Sequence, residues 1–253
     1  MTPTTDRLGS EQAFHDQQAA VRSGDFRDLH SLRFRDDDYL DHETWVRPAF
    51  DRLGPLAGTR VLDFGCGHGM ASVVLVRRGA RVTAFDLSPG YLREARRRAD
   101  ANGVAVAFVQ ADGERLPFAD ASFDRVWGHA VLHHLDLRTA AHALRRVMAP
   151  GGVAVFCEPW GENPLLNFVR RRVPYPGKSR TPDERPLRRR HLRLLRRVFP
   201  VVEREGFQLL SMARRVLPRS RLVAALDWCD DLLLKRVPLL QQFCRYVVLT
   251  LRG

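Results

Sequence analysis

Apolar residues recur along this chain in two alternating rhythms. Short β-branched runs give way to longer stretches in which apolar side chains return every three or four positions. The short runs predict strands at Arg60–Phe64, Arg81–Asp86, Val104–Val109, Phe123–Gly128 and Val153–Cys157. Between them, Met70–Arg78 and Leu137–Met148 read as helices, the second stopped by Pro150-Gly151-Gly152. Another helix starts behind Ser88, with Pro89 at its first position and Tyr91, Leu92 and Ala95 on one face. Further on, Leu187–Val198 reads as a helix, and Phe207–Val216 and Arg245–Leu251 as two final strands. An amphipathic helix over Arg221–Lys235 joins those strands. Residues 1–12 are polar and are expected to fray.

Strand–helix alternation of this kind predicts an α/β fold: a Rossmann-like, doubly wound and mostly parallel seven-stranded sheet. The whole chain, 1–253, reads as a single domain. Its parts are a helical N-terminal lid (1–55), a cofactor-binding core (56–160), an insertion after the fifth strand (161–190) and a C-terminal part with the last strand pair (191–253). Pro159, Pro164, Pro174, Pro176, Pro182 and Pro186 mark the insertion as loop-rich. Ligands of such sheets sit at the carboxyl ends of the strands.

Charge widens the choice of partners. Lys and Arg total 41 against 29 Asp and Glu, a net charge of +12, and only Lys178 and Lys235 are lysines. That balance suits nucleic acid, an anionic membrane surface or an anionic substrate, and equally a solvated basic surface. Cys66, Cys157, Cys229 and Cys244 have no CxxC spacing, so no metal is expected and reduced thiols in a cytoplasmic protein fit. There is no signal-peptide pattern at the N-terminus and no apolar run long enough to span a bilayer.

The chemistry concentrates at Val61-Leu62-Asp63-Phe64-Gly65-Cys66-Gly67-His68-Gly69. Three glycines at alternate positions let the backbone turn sharply and come close to a ligand, and the next helix points its N-terminus there. The spacing is not the GxGxxG of a pyrophosphate-binding turn. Asp63 beside it would repel a pyrophosphate and welcome a cationic amino-acid group. Asp86 closes the second strand 23 positions beyond Asp63, an offset suited to accepting from ribose hydroxyls. Asp112, in Gln110-Ala111-Asp112-Gly113, could accept from an exocyclic amine.

These segments, from about Thr59 to Pro159, resemble class I S-adenosylmethionine (SAM)-dependent methyltransferases, above all the small-molecule group of ubiquinone/menaquinone type. The resemblance implies SAM as cofactor and S-adenosylhomocysteine as its product. It implies that Asp63, Gly65, Cys66, Gly67 and Gly69 hold the methionine end, Asp86 and Leu87 the ribose, and Asp112 and Gly113 the adenine, with His129 flanking the cofactor. Candidates for proton removal are His133, His134 and Glu158, close behind the fourth and fifth strands. The lid segments 14–52 and 160–186 offer Tyr39, His42, Trp45, Trp160, Asn163, Arg171 and Tyr175 to an acceptor.

The expected activity is methyl transfer to an O, C or N atom of a lipophilic or specialised metabolite, an anionic one such as an isoprenoid diphosphate included. Two alternatives stay open: an RNA methyltransferase, and a membrane-associated SAM-binding protein without turnover. Against nucleic acid stand the missing RNA-binding module and the missing (N/D)PP(Y/F) segment after the fourth strand, where Gly128-His129-Ala130-Val131 stands. Residues 221–240 could lie on a membrane, pack on the sheet or form a dimer face, and both monomer and homodimer fit.

Overall fold

The computed structural model describes residues 4–23, 29–172, 185–215, 217 and 220–253. In chain order the helices are α1 (Thr4–Ser23), α2 (Asp36–Leu40), α3 (Val46–Asp51), α4 (Met70–Arg77), α5 (Pro89–Ala101), α6 (Leu137–Val147), α7 (Pro164–Arg172), α8 (Arg189–Leu195) and α9 (Arg221–Arg236). The strands are β1 (Arg60–Phe64), β2 (Arg81–Asp86), β3 (Ala107–Gln110), β4 (Phe123–His129), β5 (Met148–Pro159), β6 (Val201–Phe207) and β7 (Tyr246–Arg252). They form one seven-stranded sheet in the order β3-β2-β1-β4-β5-β7-β6. The first five are parallel, while β7 runs antiparallel to both β5 and β6. The order reverses between β1 and β4, which opens a crevice at their carboxyl ends.

Alternation along the strands builds a core on each face. Leu62 and Phe64 of β1, Val126 of β4, Phe156 of β5 and Leu249 of β7 pack under α6 and α8, against Leu144 and Leu195. Their neighbours Val61, Trp127, Val155 and Val248 face the other way, toward Phe50, Val74 and Leu75 of α3 and α4. Strands buried on both sides read as near-continuous apolar runs, which is why β1, β2, β4 and β7 stand out in the sequence.

Four expectations change. Residues 4–12, expected as a polar end, are helical and belong to α1, which docks on α5. The third strand is shorter and later than the apolar run 104–109 suggests. The helix expected over 187–198 is confined to α8. The strand expected at 207–216 is instead β6, which ends at Phe207. Gln208 takes a φ of 61° and breaks the strand. Buried Asp230 of α9 then accepts the backbone N–H groups of Leu209, Leu210 and Ser211, so these amides need no sheet partner. Glu203, Arg204 and Glu205 fall inside β6, and such charges suit an edge strand.

Candidate active site

The turn after β1 is built of backbone. Gly65, Gly67 and Gly69 have φ of 69°, 51° and 82°. A Cβ at Gly65 would meet Val131 Cγ2 at 2.5 Å, and one at Gly69 would meet Ala95 Cβ at 2.7 Å. At Gly67 nothing lies within 4 Å, so its bare face looks onto open space. The turn is pinned to β2. Cys66 N donates to Phe85 O at 2.8 Å, and Gly67 N donates to Asp86 Oδ2 at 2.8 Å. The other oxygen of Asp86 accepts from Ser88 N at 2.9 Å, and Ser88 Oγ caps α5 by accepting from Tyr91 N. Burial holds the Asp86 carboxyl above its ordinary value, against the pull of these N–H donors.

Two cavities meet at this turn, and both are lined by Gly65, Gly67 and His129. The first, of about 330 Å³, takes in Asp86, Leu87, Asp112 and Gly113. Its outer wall is α1, through Arg7, Glu11 and His15. The second, of about 350 Å³, takes in Asp63, Cys66, Tyr39 and His42. Gly69 lines neither and serves as the residue preceding α4. Either volume falls in the range of small-molecule sites.

The charges around the cavities follow from burial. Asp63 is 2% exposed and accepts from Ser72 Oγ at 2.5 Å. Burial pushes its carboxyl up to about 7, helped by the charge of Asp86 and opposed by the Ser72 hydrogen bond. His129, the last residue of β4, is pushed down to about 4 by burial and then by neighbouring His42, so it is uncharged at neutral pH. His42 stacks on Tyr39, and its Nδ1 meets the Tyr39 carbonyl. A carbonyl only accepts, so Nδ1 is the donor of this pair.

Glu158 and His133 play a different part from the one expected. Glu158 is fully buried, with one oxygen accepting from Val131 N and Leu132 N at 3.0 and 2.8 Å. Its other oxygen meets His133 Nδ1 at 2.7 Å. The pair shapes the loop after β4 and lines neither cavity. His134 does line the first cavity, 3.1 Å from Glu11 of α1.

The acceptor candidates divide as well. Tyr39 lines the second cavity, its hydroxyl accepting from Trp127 Nε1 at 3.1 Å. Trp45 is core, stacked on Tyr246 at 4.0 Å. Trp160 is core too, its Nε1 donating to Gln242 O at 3.0 Å. Asn163 donates to Phe243 O at 2.6 Å and accepts from Leu166 N, so it caps α7 and ties it down. Trp45, Trp160 and Asn163 line neither cavity, because the aromatic bulk the sequence offers to a ligand is taken up between β7 and its flanking segments. Arg171 lies in α7 with its side chain outside the described residues, and Tyr175 lies outside them altogether.

The helical lid expected over 1–55 includes α1, but sequence reasoning singled out none of the α1 side chains that anchor it. Its Asp16 Oδ1 accepts from Ser88 Oγ at 2.5 Å and Gly90 N at 3.0 Å. Gln18 accepts from Tyr91 Oη at 2.7 Å. Arg7 pairs with Glu114 and donates to His134 O. The one local signal was the i, i+4 spacing of Glu11 and His15, which puts both on one helix face.

The strand order, the reversed last pair and the glycine turn after β1 define the class I methyltransferase fold. Residues 62–156, which run from β1 to β5, match the family model described as a methyltransferase domain. A demethylmenaquinone methyltransferase of Clavibacter sepedonicus is 41% identical over 130 residues, 51% of this chain and 52% of that protein. A malonyl-[acyl-carrier protein] O-methyltransferase of Enterobacter lignolyticus is 41% identical over 123 residues, 47% of each chain. The chain thus spans about half the length of the curated relatives it matches. Among solved structures, the geranyl diphosphate C-methyltransferase of Streptomyces coelicolor A3(2), complexed with Mg2+, geranyl diphosphate and S-adenosylhomocysteine, shares the fold. Its TM-score is 0.57 at 16% identity, over 81% of this chain and 77% of that one.

Proposed function

We propose that this chain transfers the methyl group of SAM to a small, lipophilic acceptor. One observation carries the reading: Asp63, Asp86 and Asp112, from three strand ends, converge on cavities that meet at a side-chain-free turn. A chain of net charge +12 that gathers three carboxylates around a glycine turn is arranged for a cation. SAM, when bound, supplies an electrophilic methyl group on a sulfonium.

The residues present fit that group. Asp86 offers acceptors to the ribose, Asp112 to the adenine amine, and Asp63 a carboxylate to the methionine ammonium. Neutral His129, which lines both cavities, would not repel a cationic group bound there. His42 lines the second cavity, and its imidazole is the group there suited to take a proton from an acceptor that must lose one. The described residues lining that cavity include Asp38 and Asp63, with Tyr39, Met70 and Trp127, and no Arg or Lys. This wall suits an uncharged, partly apolar acceptor better than a diphosphate. Demethylmenaquinone, named for one relative, has that chemistry.

Calorimetry with SAM on the native chain and on Asp86→Ala tests the reading. The variant is expected to lose at least about tenfold in affinity, ~1.4 kcal/mol. Equal affinity removes Asp86 from the site, and no binding by the native chain overturns the proposal.

A further inference from the structure

We propose that Glu11, His15 and His134 form a binding site for a divalent transition-metal ion of the zinc class, which ties α1 to the loop after β4. This site does not rest on the methyl-transfer reading, and its test involves no SAM.

One ligand atom from each residue lies within 4.8 Å of the other two. Glu11 Oε2 is 3.5 Å from His15 Nε2 and 3.1 Å from His134 Nδ1. Zinc–nitrogen and zinc–oxygen bonds of about 2.0–2.2 Å in a tetrahedron place ligand atoms roughly 3.3–3.6 Å apart. Two of the three edges are therefore already close to what a metal imposes. Glu11 and His15 stand one turn apart on α1, and His134 faces them from the turn behind β4, its ring 5.3 Å from that of His15.

The second observation is an unmet polar demand. His134 Nδ1 is buried and makes no hydrogen bond, although it lies 3.1 Å from a carboxylate oxygen. His15 turns its Nε2 toward the same carboxylate oxygen, at 3.5 Å. Buried polar atoms normally find partners, and an exception at clustered imidazoles points to an ion. Two imidazoles and one carboxylate are a donor set that suits zinc and iron(II). Asp86 and Asp112 line the same cavity, and the one Arg among its lining residues, Arg7, is paired with Glu114. All three ligands also line that cavity, so a fourth coordination position would open into it.

The full chain, stripped with a chelator, is the test material. It is expected to take up one equivalent of Zn2+, read by competition with a chromophoric chelator. With Co2+ it should give the intense visible bands of a four-coordinate site. His15→Ala and His134→Ala should each weaken zinc binding by at least about tenfold, while exposed His142→Ala leaves it unchanged. His15→Cys should keep the cobalt spectrum and add a thiolate charge-transfer band, which rescue of folding alone cannot produce. No stoichiometric uptake by the native chain overturns the proposal. So does uptake that His15→Ala and His134→Ala leave intact, or a His15→Cys variant, folded by circular dichroism, that shows no thiolate band.

Discussion

On the sheet side of the first cavity, backbone holds backbone: Cys66 N is bound by Phe85 O, and Gly67 N by the carboxylate that ends β2. On the opposite side, α1 is held largely by side chains, through Asp16 to Ser88 and Gly90, Gln18 to Tyr91, and Arg7 to Glu114 and His134. The sheet wall cannot shift without breaking strand registry. The α1 wall can leave by giving up a handful of polar contacts, each worth about 1 kcal/mol net. One wall is held by backbone pairing and the other mainly by side-chain contacts, so α1 is the wall expected to open first.

The largest test of that contrast is Gly65→Ala. The new Cβ meets Val131 at a φ only glycine takes easily, at a cost of roughly 2–4 kcal/mol. We expect SAM binding to vanish in calorimetry and Tm to drop by roughly 5–15 °C. An unchanged Tm with intact binding would mean that the rigid wall tolerates a side chain.

A change of pH acts next. With its carboxyl pushed up to about 7, Asp63 is half protonated at neutrality. A cationic ligand needs the ionised form, so affinity for SAM should rise about tenfold from pH 6 to pH 8, with proton release on binding. Buffers of different ionisation enthalpy measure that release, and a flat pH profile would remove Asp63 from the ligand's surroundings. For the empty fold the sign is opposite. A carboxyl raised on folding favours the folded state at low pH, and that contribution fades as pH climbs through about 7.

The smallest effect is expected from Asp16→Ala. Losing the link from α1 to Ser88 and Gly90 should cost about 1 kcal/mol. It should speed hydrogen exchange in α1 and SAM release a few-fold, while Tm moves by less than about 4 °C. Slow exchange in α1 of that variant would show that the helix is held by something other than its polar contacts.

The same contrast explains what the sequence discloses. β1, β2, the Ser88 cap and the glycine turn are local: apolar runs, a Ser-Pro start and alternate glycines each sit within a few residues. The docking of α1 is not local. The partners of Asp16 and Gln18 lie more than 70 positions along the chain, so the polar first turns read as a loose end. β6 was hidden by Glu203, Arg204 and Glu205, which interrupt the apolar run an edge strand can do without. Trp45 and Trp160 misled for a related reason, since an aromatic side chain in a lid segment looks the same whether it greets a ligand or fills space against β7. Glu158 sits at a strand end as expected, yet only the fold shows its oxygens spent on Val131, Leu132 and His133.

Cys66 stands inside the glycine turn, and its thiol is held well above its usual range by burial and by the carboxylates of Asp63 and Asp86. Sulfur attacks alkylating agents as the anion. An electrophile seated on this bend would therefore find a protonated, unreactive neighbour, kept so first by burial and then by the two carboxylates beside it.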